Sequence, residues 1–329
     1  MMLRRRQFLH LATAAGAAGA GLSIGPRAVR AESYPARSVR IVVGSPPGGT
    51  YDIVARLIAQ WLSGRLGQQF VVDNRPGAGT NIASDLVAHA AADGYTLLLA
   101  GSPAAINVSL YDKLNFNFLT DIAPVAPIER MPLVMAVNPA LPANSVSDFI
   151  AYAKGRAGAI NMGSGGVGST GHVAGELFRM MADIRIAHVP YRGEPPALTD
   201  LIGGRLDVVF STAGSLIGYV KAGSLRALAV TTEAPLAALP GIPPLQETLP
   251  GYEASSWTGI GAPAHTPAEV VERLNHEINA GLADAKVSGQ LGAWGATILA
   301  APPSEFGDFI AAEAEKWRKV VRSADLKPD

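Results

Sequence analysis

The 329-residue chain contains no cysteine. It therefore has no disulfide, no thiolate nucleophile and no cysteine-ligated metal. Charge is scarce too, at 16% of positions, and the signs cancel, with 27 Lys and Arg against 27 Asp and Glu. No basic block follows the first thirty residues, so the electrostatic footprint of a nucleic-acid binder is missing. Low charge does not mean disorder here, because 48% of the residues are hydrophobic and disorder requires the opposite balance. Beyond the N-terminal segment no stretch approaches the ~18 apolar residues that a membrane helix requires. The length suggests about two domains of ~150 residues each.

The N-terminal segment is different. Residues 1–31 carry Arg4, Arg5, Arg6, Arg27 and Arg30 and no acidic residue. Arg5-Arg6-Gln7-Phe8-Leu9 opens a mild Ala/Gly-rich run to about Ile24, and Val29-Arg30-Ala31 places small residues where a signal peptidase reads. This is the pattern of an export signal cleaved after about Ala31. The paired arginines favour a twin-arginine signal; an ordinary secretory signal with an extra arginine, and an uncleaved anchor, are the competing readings. Loss of the five arginines leaves 22 basic against 27 acidic residues, a formal charge of −5.

Beyond residue 31, short β-branched runs alternate with stretches of helical periodicity. Val39 to Val43 reads as a strand, followed by Ser45-Pro46-Pro47-Gly48-Gly49-Thr50 and a helix carrying Ile53, Val54, Leu57, Ile58, Trp61 and Leu62. Further strands are expected at Phe70–Val72 and Tyr95–Ala100. The pattern restarts with a strand at Pro132–Val137, a helix capped by Ser145, a strand at Ala159–Met162, and a second glycine-rich loop, Gly163 to Ser169. Strands near Ile186–Val189, Asp207–Phe210, Leu225–Val230 and Ser256–Gly261 complete the series, and Thr266-Pro267 is expected to start a helix at its first turn. Alternating strands and helices imply βαβ units and a largely parallel sheet.

Both glycine-rich loops join a strand to a helix. A helix start leaves N–H groups unpaired and carries about half a positive charge. Glycine lets a ligand approach those donors. Two such loops facing one another would hold a small carboxylate with few basic side chains; mere turn-making is the plainer reading of each. Gly163-Ser164-Gly165-Gly166-Val167-Gly168 also satisfies G-x-G-x-x-G, but the acidic residue expected at the end of the next strand is absent. The single G-x-S-x-G, Gly21 to Gly25, falls inside the signal, and no G-K-[ST] exists. The histidines beyond residue 31 do not pair at metal spacing. No cofactor or metal is expected.

The order of motifs resembles the substrate-binding proteins of tripartite tricarboxylate transporters, the Bug or TctC family. The resemblance rests on Pro46 to Arg56, Asn74-Arg75-Pro76-Gly77-Ala78-Gly79 and Asp93 to Leu98. It continues through Gly168-Ser169 with His172, Ala174-Gly175-Glu176-Leu177-Phe178, His188 to Gly193, Leu225 to Thr231 and Gly261-Ala262-Pro263. It implies an α/β, two-lobe type II periplasmic-binding-protein fold. Each lobe would be a mostly parallel sheet flanked by helices, joined by two crossover strands at Leu133–Asn138 and Leu225–Thr231. The first lobe would comprise residues 32–135 and 230–329, the second residues 136–229. It implies a periplasmic, monomeric, non-enzymatic protein that binds a small organic carboxylate between the lobes and delivers it to membrane permease subunits. An exported α/β enzyme acting on a small carboxylate, and a ligand-presenting sensor component, remain as alternatives.

Carried over motif by motif, the resemblance places first-lobe contacts at Gly48, Gly49, Thr50, Asp52, Ser102 and Pro103, the last two in the loop after the third strand. Second-lobe contacts fall at Ser164, Gly165, Gly168, Ser169, Thr170, Tyr191, Gly193 and Ser211. Asp52 either caps its helix or touches ligand. His172 is expected to be a structural hydrogen-bonder. Ser211 departs from the family's common Asp, and Thr80 stands where a further glycine is common. The neutral hydroxyl of Ser211 suggests an organic acid without an amine.

Overall fold

The computed structural model describes residues 34–328 apart from 157 and 159, so the expected export signal lies outside the described residues. The first part of the chain folds as β1 (Val39–Val43), α1 (Thr50–Leu66), β2 (Phe70–Asn74), α2 (Asn81–Ala88), β3 (Thr96–Gly101), α3 (Ser102–Leu110) and α4 (Phe118–Asp121). A long strand, β4 (Ile122–Val137), leads into α5 (Val146–Gly155), β5 (Asn161–Ser164), α6 (Thr170–Ala182), β6 (Ala187–Pro190), α7 (Glu194–Ile202), β7 (Val208–Thr212), α8 (Ala213–Lys221) and β8 (Arg226–Val230). The chain ends with β9 (Ser255–Pro263), α9 (Ala268–Ala283), α10 (Ala285–Ala293), β10 (Thr297–Ile298) and α11 (Pro303–Ser323).

Local sequence explains these elements. β1 is β-branched and its Ile41, Val42 and Val43 are fully buried, as a strand covered on both faces requires. Val54, Ile58 and Leu62 recur every four residues and form the buried stripe of α1. Gly67 ends that helix in the left-handed conformation, φ 71, which glycine adopts without a Cβ penalty. Ser145 caps α5 as the sequence indicates, accepting from the Asp148 N–H. Pro267 is the N-cap of α9 rather than part of its first turn.

The strands form a mixed sheet in two parts. In the first, β2, β1 and β3 are parallel, and β9 joins antiparallel between β3 and β4. In the second, β7, β5 and β6 are parallel, and β4 lies antiparallel to both β7 and β8. β4 belongs to both parts: its pairing with β9 ends at Pro132 and its pairing with β7 begins at Leu133. The strand expected at Pro132–Val137 therefore begins ten residues earlier, at Ile122. Pro124 and Pro127 sit at register shifts against β9, the places where a strand tolerates a missing N–H.

The expected second crossover at Leu225–Thr231 is also displaced. β8 pairs with β4 across Val134–Val137 and so lies wholly in the second part; the chain returns after it, between Thr231 and Ser255. Thr231 fixes that return. Its N–H donates to the Leu133 carbonyl at 3.0 Å. Its hydroxyl accepts from the Leu133 N–H at 2.9 Å and donates to the Leu133 carbonyl at 3.0 Å.

One helix is shared by both cores. Phe306, Ile310 and Ala314 of α11 pack with Trp257, Val42 and Leu98 in the first. Further along the helix, Trp317, Val320 and Val321 pack with Phe149, Phe178 and Phe210 in the second.

Thr231→Val keeps the shape of this buried side chain but leaves the Leu133 N–H without an acceptor. Such a loss costs about 1–3 kcal/mol, and urea unfolding followed by circular dichroism is expected to show a destabilisation of that size. A midpoint unchanged from wild type would mean that the junction tolerates the loss.

Candidate functional site

The register brings the carboxyl ends of the parallel strands in both parts to the same place. Gly101, the last residue of β3, faces Thr258, which faces Glu129 of β4. Thr212, the last residue of β7, faces Leu133. The two sets of strand ends thus converge on the stretch of β4 where its pairing changes, and the next helices begin there. Four of these helices, α1, α3, α7 and α8, start without a side-chain cap. At α1 and α8, whose first turns contain no proline, the N–H groups lack the partner that a capping residue supplies.

The first glycine-rich loop is held from below by a carboxylate. Gly48 has φ 83, and its N–H donates to Asp52 Oδ2 at 2.8 Å. Arg56 grips both oxygens of Asp52, Nε to Oδ2 at 3.0 Å and a terminal nitrogen to Oδ1 at 2.9 Å. Asn74 Nδ2 donates to Oδ1 and also to the Ser45 carbonyl. Burial raises the Asp52 pKa, but the hydrogen bonds from Arg56, Gly48 and Asn74 outweigh it and hold the carboxyl below its ordinary value. Asp52 is 3% exposed, so it shapes the loop rather than facing the cleft.

The second loop rests on two histidines. His172 and His188 stack with ring centroids 3.7 Å apart and an interplanar angle of 11°. His172 Nδ1 accepts from the Gly168 N–H at 3.2 Å, and His188 Nε2 lies 2.6 Å from Ser164 Oγ. Each ring thereby fixes one end of the Gly165–Val167 stretch. Ser169 caps α6, its hydroxyl accepting from the His172 N–H. As the sequence suggests, His172 is a buried hydrogen-bonder.

The two loops meet through Tyr51 in the first turn of α1. Its hydroxyl lies 3.4 Å from Ser256 Oγ of β9, and the Thr170 side chain at the start of α6 is near enough to lower its pKa. Burial raises its pKa, and the charges of Glu129 and Glu194 add to the rise. Nearby, a Cβ on Gly168, φ 75, would stand 2.5 Å from Leu110 Cδ2 on α3. The two parts are therefore in close contact across the cleft.

Most of the expected residues gather at this place. Gly49 and Thr50 open α1; Thr170 opens α6; Gly193, φ 100, is the N-cap of α7 and donates to the Gly165 carbonyl. Ser102 and Pro103 do not form a loop after β3; they are the first residues of α3, and Ser102 Oγ accepts from the Trp257 N–H. Both are buried, and the hydroxyl serves the packing of β9 against α3. Tyr191 is directed elsewhere: its hydroxyl donates to Asp200 at 2.7 Å, beside Arg205. Ser211 is 2% exposed and its hydroxyl has no hydrogen-bond partner.

Sequence reasoning missed Tyr51, Glu129 and Glu194. Glu194 is the first residue of α7, and its Oε2 accepts from Ser215 at 2.8 Å and from Thr212 at 3.3 Å. With Ser164, Gly165 and Ser211 it lines a small cavity of about 10 Å³, room for about one water. An acid opening a helix is ordinarily explained by the helix dipole, so nothing in the sequence marks Glu194 as a cleft residue. A larger groove of about 520 Å³ lies beside the histidine pair, lined also by Arg179, Arg185 and residues 324–327. Its charges are largely matched within it, Arg179 on Glu176 and Lys327 on Asp325. Among the described residues no group of three His, Asp or Glu side chains comes together to hold a metal ion.

Comparison with known proteins bears on the family and the fold. The family model described as the tripartite tricarboxylate transporter family receptor, TctC, matches residues 54–326. Protein BugT of Bordetella pertussis is 37% identical over 302 residues, covering 91% of this chain and 93% of its own. The structure of R. palustris Rpa4515 with adipate is 38% identical with a TM-score of 0.85, covering 90% of this chain and all of that one. MatC from Rhodopseudomonas palustris, with bound malate, is 29% identical with a TM-score of 0.81, covering 88% and 100%.

The buried titratable groups give the site a pH signature. Burial, only partly offset by the Thr258 hydrogen bond, raises Glu129 from an ordinary 4.5 to about 8. A raised carboxyl contributes its full stability below pH 4.5 and loses it as pH rises toward 8. Burial, assisted by His188, lowers His172 from 6.5 to about 3; its contribution is complete above pH 6.5 and is lost as pH falls. The two slopes oppose between 4.5 and 6.5. Between pH 6.5 and 8, Glu129 is expected to lower stability by about 1.4 kcal/mol per pH unit. Glu129→Gln should remove that slope in urea unfolding; persistence of the slope in the variant would assign it to other groups.

Proposed function

The chain belongs to the tripartite tricarboxylate transporter receptor family, and from that premise we propose that it captures a small organic carboxylate in the cleft and delivers it to the membrane subunits of such a transporter. The observation that carries this reading is the meeting of helix starts from both parts at the carboxyl ends of their strands. In open α/β sheets ligands bind at that position. Backbone N–H groups at helix starts suit a carboxylate without a cationic side chain, and Arg56 is already engaged with Asp52. The relatives solved with adipate and malate bind acids of this class.

Contacts would come from the amide and hydroxyl of Thr50 on one side and of Thr170 on the other, while the amides of Gly49, Gly168 and Ser169 hold the two loops through Pro46, His172 and Gly166. Gly48 sets the first loop, while Asp52 holds it. With the two parts in contact through Tyr51 and Gly168, entry requires them to separate, and a ligand that touches both favours the closed form. In this reading the moving bodies follow the two parts of the sheet, divided at Pro132 and Leu133 in β4 and again between Thr231 and Ser255, with the end of α11 packed on the second, and the protein is a monomer. Solved relatives are periplasmic binding proteins, and export with cleavage after about Ala31 fits the N-terminal sequence. The protein binds without turning its ligand over; conversion of a bound acid by the purified protein would replace this reading with an enzymatic one.

Thermal-shift screening with mono- and dicarboxylates, followed by calorimetry of any hit, tests the function. Saturation at a hundredfold over the dissociation constant stabilises the folded form by about 2.7 kcal/mol. Gly168→Val places side-chain atoms against Leu110 and disturbs a positive-φ turn. Losing a charge-assisted hydrogen bond at this loop is expected to weaken binding roughly ten- to a hundredfold. Unchanged affinity in a folded Gly168→Val protein would place the site elsewhere.

A further inference from the structure

The cleft is not uniformly suited to anions. At the start of α7 two prolines, Pro195 and Pro196, follow Glu194, and proline has no N–H to offer. The Gly193 N–H is already bonded to the Gly165 carbonyl. Of the first three residues of this helix only Glu194 carries an N–H, so its start offers a carboxylate few donors. It presents an acceptor instead. Glu194 Oε2 is held by Ser215 and Thr212, and its Cγ lies 3.5 Å from where a Cβ on Gly165 would stand. The side chain is thus packed against the second glycine-rich loop, facing the α8 start.

Two further observations place it toward a ligand. Ser211 Oγ, in a residue 2% exposed and without a partner, lines the same cavity as Glu194. Tyr51, the residue that joins the two parts, feels the charge of Glu194 across the cleft. A carboxylate accepts hydrogen bonds and repels a second carboxylate. Ser211 brings no charge to this cavity; its acid is Glu194, which reaches it from α7.

We propose that Glu194 makes the second part's end of the cleft select for a hydrogen-bond donor, so that the ligand is an organic acid whose far end carries an ammonium or hydroxyl rather than a second carboxylate. The inference rests on the carboxylate-binding function above and narrows its substrate class. The opposite end of the ligand, its carboxylate, lies toward the amides of α1 and α6. A donor at the far end satisfies Glu194, while a second carboxylate there meets like charge with no cation beside it.

Length-matched acids provide the test. Succinate is compared with 4-aminobutyrate and 4-hydroxybutyrate, adipate with 6-aminohexanoate and 6-hydroxyhexanoate, and terephthalate with 4-aminomethylbenzoate and 4-hydroxybenzoate. Calorimetry on the wild-type protein is expected to show at least one donor-terminated acid binding tenfold or more tighter than its dicarboxylate. Glu194→Gln is expected to reduce that ratio tenfold or more, with unfolding by circular dichroism as the control. Should the glutamine variant misfold, Glu194→Ser reads the same ratio. Dicarboxylates that bind tighter than their partners in wild type, or a ratio unaltered in the variant, would overturn the inference while leaving carboxylate capture intact. Binding of neither class would overturn both.

Discussion

The continuity of β4 is the constraint on which the rest depends. Sixteen residues run from one part of the sheet into the other without a break, and the partner strands change at Pro132 and Leu133. Because β9 and β7 are both antiparallel to this strand, the parallel strands beyond them end on either side of the change. Helix starts from two separate α/β layers are thereby turned toward one another. Neither part alone makes a two-sided site; the strand supplies the second wall.

The cleft built on this strand contains ionisable groups that burial keeps neutral or that neighbours hold in place. Glu129 is raised toward neutrality on the floor, and His172 is lowered beneath the second loop. Asp52 is ionised but is surrounded by Arg56, Asn74 and the Gly48 amide. Backbone dipoles therefore dominate the electrostatics at the α1 and α6 starts. Glu194 stands apart from this arrangement because its partners are hydroxyls, which leave its charge uncompensated.

Much of the α/β organisation was legible because strands such as β1, β2 and β7 are rich in β-branched residues, and because both glycine-rich loops fall between a strand and a helix. The gathering of Gly49, Thr50, Ser169 and Thr170 follows from that local rule. The illegible parts depend on context. The prolines of β4 argue against a strand until its register shifts against β9 are seen. Ser102 looks like a loop residue because nothing local shows that α3 begins at once after Gly101. Tyr191 looks like a cleft aromatic until Asp200, nine residues on, takes its hydroxyl. Tyr51 and Glu194 are ordinary first-turn residues whose importance comes from what faces them. Thr80 adopts φ 82, a left-handed conformation that glycine adopts more readily than threonine.

The sharing of α11 between the two cores bears on how the molecule loses its structure. Its early turns are embedded beside Trp257 and its later turns beside Phe149 and Phe178. Unfolding of either part strips one end of this helix of its packing, and a helix so exposed keeps little of its stability in water. Melting of one half therefore removes a wall from the other. Although the chain is arranged as two bodies, the shared helix couples their stabilities, and thermal denaturation as one cooperative unit is the expected consequence.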